Sequence, residues 1–130
     1  MGLDERERWT TCLPPENASV PAARAFVATA CRELGITGEV TDTARLLVSE
    51  LATNVVRHAH TTMELSLEPD DGRVRVEVTD DDPRPLGPPA ELPQVDALHG
   101  RGLYLVALLA RDWGVRTEPE RKTVWFELAK

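Results

Sequence analysis

A chain of 130 residues is long enough for one hydrophobic core and short for two, so a single domain over residues 1–130 is expected. With 42% hydrophobic and 28% charged residues it has the make-up of a soluble globular protein, and its net charge of −7 repels nucleic acid and anionic membrane surfaces, so neither is an expected partner. No apolar run approaches the roughly 20 residues of a membrane span, and the charged start MGLDERER has no apolar stretch like that of a signal peptide, which together point to the cytoplasm.

The first β-prone run, residues 8–13 (RWTTCL), stops at Pro14-Pro15, where a central strand could not continue; it reads as an edge strand. Ser19 is a natural N-cap and Pro21 is tolerated in a first turn. Phe26, Val27, Ala30, Cys31 and Leu34 then form an apolar stripe that stops at Gly35, which predicts a helix over about 20–34. Cys12 and Cys31 lack C-x-x-C spacing, and Cys31 falls on the apolar stripe, as a buried free thiol would. No pair among the cysteines and His58, His60 and His99 has the spacing of a zinc site.

After a short link through Thr37 and Gly38, the stretch 41–60 (TDTARLLVSELATNVVRHAH) carries Ala44, Leu47, Val48, Leu51 and Val55 on one helical face. On the shoulder of that face Glu50 and Asn54 are one turn apart, with Arg57 and His58 continuing the row. A carboxylate there can orient or deprotonate a hydroxyl, and a neutral amide oxygen suits a hard cation such as Mg²⁺ without adding charge. Two polar residues on an amphipathic helix are equally the mark of a plain solvated face, so the pair alone leaves both readings open.

Beyond His60 the period drops to two. Met63, Leu65 and Leu67 alternate with polar residues, as do Val74, Val76 and Val78, around the turn signal Pro69-Asp70-Asp71-Gly72: an antiparallel hairpin with one buried face. Asp80 sits where the second strand leaves the sheet. Five prolines between Asp80 and His99 predict a long irregular loop, of the kind used as a lid or binding segment. His99-Gly100-Arg101-Gly102 then opens a run with Leu103, Leu105, Val106, Leu108 and Leu109 at largely helical spacing, and a helix N-terminus with free amides favours an anion. Two β-prone runs, 113–117 and 122–128, end the chain, with Val124, Phe126 and Leu128 on a shared face.

The order of these signals, Glu50/Asn54 on a helix, an aspartate ending a later strand, a long lid and Gly-x-Gly at the next helix, resembles the GHKL (Bergerat) ATP-binding fold of gyrase, heat-shock chaperone ATPase domains, histidine kinases and mismatch-repair ATPases. SELATNVVRHA, VEVTD, GRGLYLV and KTVWFEL are most similar to the small cytoplasmic anti-sigma factor serine/threonine kinases and their actinomycete-type relatives, over about residues 9–128. The resemblance implies a two-layer α/β sandwich: a mixed, mostly antiparallel sheet with three helices on one face and an ATP lid over about 81–102. It implies Glu50 as catalytic carboxylate, Asn54 as Mg²⁺ ligand, and Asp80 as acceptor for the adenine amino group, with Thr123 in support. Gly100 and Gly102 become lid glycines meeting the phosphates, with Arg101, Leu103 and Arg57 as further nucleotide-binding residues. ATP and Mg²⁺ are then the expected cofactors, and a STAS-type antagonist, a sigma factor and a second copy of the chain the candidate partners. Where the family's second motif reads D-x-G-x-G, this chain has Asp82 and Arg84 at the glycine positions. A second function fits the same residues, an interaction module, with or without nucleotide, that sequesters a partner and transfers no phosphate.

Overall fold

The computed structural model of the chain describes residues 8–82 and 98–130, with the backbone alone at 98–101. Five strands, β1 (Trp9–Leu13), β2 (Met63–Asp70), β3 (Arg73–Asp80), β4 (Asp112–Thr117) and β5 (Lys122–Ala129), form one sheet in the order β1-β2-β3-β5-β4. Helices α1 (Ser19–Glu33), α2 (Glu39–Asn54) and α3 (Leu98–Leu109) pack on one face, which makes a two-layer α/β sandwich. The sheet, expected to be mixed and mostly antiparallel, is antiparallel at every pairing among the described residues. The proline-rich loop between Asp80 and His99, and with it most of the expected lid, lies outside the described residues. No helix described is long and apolar enough to cross a membrane.

Alternation along the strands builds the core. In register, Leu67, Val76 and Phe126 face one another across three strands, and so do Leu65, Val78 and Val124, all on the helix side and buried. Each such side chain contributes roughly 1.5–3 kcal/mol of burial. Across from them α2 and the turn after it lay down Ala44, Leu47, Val48, Leu51 and Val55, the predicted stripe, all buried, and α1 adds Ala23, Val27, Ala30 and Cys31. Burial pushes the Cys31 thiol pKa up, against the lowering effect of a hydrogen bond with Thr41. α3 contributes Leu103 and Val106, while Leu108 and Leu109, expected on its apolar stripe, are exposed.

Local chemistry sets the element ends. Ser19, expected outside α1 as its cap, is instead its first residue; its hydroxyl donates to the Pro14 carbonyl (2.6 Å), and Ala18 takes the N-cap position without a side-chain cap bond. At the other end Ile36 N–H reaches the Cys31 carbonyl (2.8 Å) and Gly35 N–H the Arg32 carbonyl (3.1 Å), the bond pair of a Schellman close. α2 starts two residues before the expected stretch 41–60, with Glu39 and Asp42 in its first turn, where the helix dipole favours them. The β2–β3 turn is tighter than the four-residue signal implied: only Asp71 (φ 45°) and Gly72 (φ 83°) are outside the strands, the two positive φ values a two-residue hairpin requires. Pro69 therefore sits in β2 opposite Val74, beyond the reach of β1, where a missing N–H breaks no pairing.

Among the described residues no helix covers the sheet's other face, which carries a polar network. Arg75 lies 4.0 Å over the Trp125 ring and donates to Glu77 (2.8 Å) and Glu127 (3.2 Å), and Arg73 donates to the same Glu127 (2.9 Å).

Candidate functional site

The ladder of apolar pairs between β3 and β5 runs out at one end in two charges. Because Asp80 follows Val74, Val76 and Val78 at a spacing of two, its side chain points to the helix side, and its cross-strand partner is Lys122, the first residue of β5. Lys122 Nζ stands 3.6 Å from Asp80 Oδ2, with the two side chains 6% and 7% exposed. The other carboxylate oxygen, Oδ1, accepts the Asp82 N–H (2.9 Å), a local turn that begins the departure from the sheet. Next to it Asp81 N–H donates to Thr61 Oγ1 (3.0 Å), which ties that departure to the segment after α2. Burial pushes the Asp80 pKa up, and neither the Asp82 N–H nor Lys122 brings it back to the ordinary carboxylate value, while the Asp82 charge adds to the rise.

The second part of the site comes from α2 and α3. Glu50 and Asn54 lie on one row of α2, half-buried, as their spacing predicts. Gly102, buried in α3, lies directly against them: a Cβ on it would fall 2.6 Å from Asn54 Nδ2, 3.5 Å from Asn54 Cγ and 3.7 Å from Glu50 Cβ. Only a residue without a side chain lets α3 approach this closely without displacing the Asn54 amide. Immediately after Asn54 the helix widens to a π-helical turn, Val55–Ala59, closed by His60 N–H to the Val55 carbonyl (2.8 Å) with His60 left-handed at φ 57°. Such turns are frequent at functional sites. Arg57, expected to continue the Glu50/Asn54 row, is exposed at this wider turn.

The structure does not bring every anticipated residue together. Thr123 is on the opposite face of β5 from Asp80, 1% exposed, its hydroxyl 2.8 Å from that of Thr79. That parity follows from the core: with Val124, Phe126 and Leu128 inward, Thr123 must point outward and Lys122 inward. The same alternation in KTVWFEL is the signal by which Lys122, which the sequence reading passed over, could have been found. Leu103 is a core residue, 2% exposed, so its side chain is not available to a nucleotide. With α3 starting at Leu98, the amides without a partner inside the helix belong to its first turn, so Gly100 and Arg101 are placed there, whereas Gly102 acts through its lack of a side chain. Among the described residues no group of three or more His, Cys, Asp and Glu side chains could hold a metal ion by itself. A shallow groove between the start of α2 and the end of α3, near Glu39 and Arg111, lies at the other end of the sheet and contains none of these residues.

A family model, that of the histidine kinase-like ATPase domain, matches residues 13–128. No curated protein matches the sequence. Among solved structures the chain is similar to the RsbU and RsbW domains of Rv1364c from Mycobacterium tuberculosis, with a TM-score of 0.72 and 16% identity over 94% of this chain and 32% of that one. The chain thus spans under a third of that protein's chain, and at such identity the likeness is one of fold.

Proposed function

Because the chain belongs to the histidine kinase-like ATPase domain family, we propose that it binds ATP with Mg²⁺ and works in the cytoplasm as an anti-sigma factor-type serine/threonine kinase. In this reading residues 1–130 are one domain that phosphorylates a STAS-type antagonist, regulates transcription by partner switching, and has a sigma factor and a second copy of itself as further partners. The observation that carries it is the contact of Gly102 with Asn54 and Glu50 on the same side of the sheet as the buried acceptor Asp80.

The residues suit a magnesium nucleotide on chemical grounds. Asp80 is a buried acceptor fit for an exocyclic amine, and Asn54 offers an amide oxygen beside a glycine that leaves it room. Mg²⁺ usually takes one or two protein oxygens and completes its shell with phosphate oxygens and water, so a single amide is enough from the protein. ATP supplies the phosphoryl group when bound. Glu50 would accept the proton of the partner's serine hydroxyl during transfer of the phosphoryl group. Gly100, Arg101 and Arg57 remain candidates for phosphate contacts.

A second reading has its own observation. Asp82, where the family motif has glycine, is 8% exposed and adds a buried carboxylate beside Asp80. A side chain there restricts the backbone that the family motif leaves free, and favours a module that sequesters its partner without transfer. Incubating the chain with labelled ATP, Mg²⁺ and a STAS-type antagonist separates the two, since only a kinase leaves phosphoserine on the partner. Glu50→Gln should keep ATP affinity and lower transfer by roughly 10²- to 10⁴-fold, while Asn54→Ala loses Mg²⁺-dependent binding and transfer together. Transfer at the wild-type rate by Glu50→Gln would remove its catalytic role.

A further inference from the structure

The base-reading end of the site contains two charged groups where the family resemblance assigns one. We propose that Asp80 and Lys122 together read the Watson–Crick edge of the bound adenine, Asp80 accepting from the 6-amino group and Lys122 donating to ring N1. The inference rests on the nucleotide-binding reading and deepens it.

The argument is geometric. Strand pairing sets the two residues opposite each other on the helix side, with Nζ 3.6 Å from Oδ2. An ammonium has three N–H donors and a carboxylate two oxygens with several lone pairs, so pairing with each other does not exhaust either group. Adenine presents a donor, N6–H, next to an acceptor, N1, and a carboxylate beside an ammonium is the matching acceptor and donor. Guanine reverses that order, with O6 as acceptor and N1–H as donor. In an orientation fixed by the sugar and phosphates, reading both atoms therefore discriminates more strongly than a carboxylate alone, because each wrong contact leaves a buried polar group unmet.

Stability does not account for the arrangement. Burying an ammonium and a carboxylate together is poor evidence of stabilisation, and two apolar residues would have continued the ladder of Val78 and Val124. The strands also hold the pair firmly, since one rung away the buried Thr79 and Thr123 hydroxyls bond to each other at 2.8 Å on the opposite face. A specificity group on a paired strand is positioned better than one on a loop.

The test is calorimetric titration of the full chain with Mg²⁺ and either ATP or its 1-deaza analogue, in which a C–H replaces N1. Wild-type protein should bind the analogue about 10- to 100-fold more weakly than ATP. Lys122→Met should bind ATP more weakly by a similar factor and show no further loss with the analogue, because the contact is already gone. Equal wild-type affinity for the two nucleotides would overturn the proposal, and so would a Lys122→Met protein that kept the full sensitivity to N1. The wild-type arm needs no substitution, so it decides even where the variant folds poorly. A chain that binds neither nucleotide would remove the nucleotide reading itself, whereas one that binds both equally removes only the role of Lys122.

Discussion

Glu127 and Asp80 lie on adjacent strands of one sheet, 6% and 5% exposed, and their protons are held in opposite ways. Burial pushes both upward. At Glu127 the hydrogen bonds from Arg73 and Arg75 outweigh it and the carboxyl ends below its ordinary value, while at Asp80 burial prevails and the carboxyl ends above. Glu127 has a guanidinium on each oxygen, at 2.9 and 3.2 Å; Asp80 has one ammonium at 3.6 Å and one backbone N–H. Burial by itself therefore does not say what a charge is for. A carboxylate whose lone pairs are met by close cations belongs to the scaffold, and one left partly met at a sheet end keeps capacity for a ligand.

Substitution should separate the two by what each loses. The largest effect is expected from Asp80→Asn, which lowers ATP affinity by roughly 10- to 100-fold because an amide N–H₂ cannot accept from the adenine amine. Its melting temperature should fall little, because the cost of leaving the Lys122 ammonium without a charged partner is set against relief from burying a carboxylate. A raised pKa means that the folded state is favoured while the carboxyl is protonated and loses stability as pH rises from 3.8 towards the raised value, a loss that a neutral amide avoids. A protein that bound ATP normally but melted well below wild type would make Asp80 a scaffold residue like Glu127 and end the contrast.

Glu127→Gln should behave in reverse, with unchanged ATP affinity and a loss of about 1–2 kcal/mol in urea unfolding at neutral pH, since two arginines lose their charged partner. The lowered pKa gives stability that is present above 4.5 and lost as pH falls through the folded value, so variant and wild type should converge in acid. A gap that persisted in acid would mean that shape and not charge holds this network. The smallest effect, about 1 kcal/mol or less, is expected from Gly114→Ala. A Cβ there would sit 2.8 Å from Trp125 Nε1 and 2.9 Å from its ring carbons, so the indole must move off Arg75 and weaken the cation–π contact. A shifted tryptophan emission with unaltered ATP binding would confirm that the outer face is separate from the site. Altered ATP affinity would show that the two faces are coupled.

Much of this was legible along the chain. The helical stripe from Ala44 to Val55, the alternation from Met63 to Val78 and the Asp-Gly turn announce a helix and a hairpin because burial against one core imposes periods of 3.6 and 2 on the residues themselves. Glu50 and Asn54 share a row for the same reason, and Asp80 ends its strand where the apolar pattern stops. Element ends were less secure: Ser19 turned from a cap into a first residue because a carbonyl from the preceding turn took its hydroxyl.

The sequence by itself determined which residues share a face and which segments alternate, because those properties depend on neighbours a few positions away and on a single apolar side. Only the tertiary structure decided what meets across elements. Pairing of β3 with β5 set Lys122 against Asp80 and turned Thr123 away, and the close approach of α3 to α2 gave Gly102 its place on Asn54. The arginines of the outer face found Glu127 from more than fifty positions away. Such contacts depend on register and packing between segments remote in the chain, where a one-residue slip exchanges the two faces of a strand and no local pattern records which distant partner waits there.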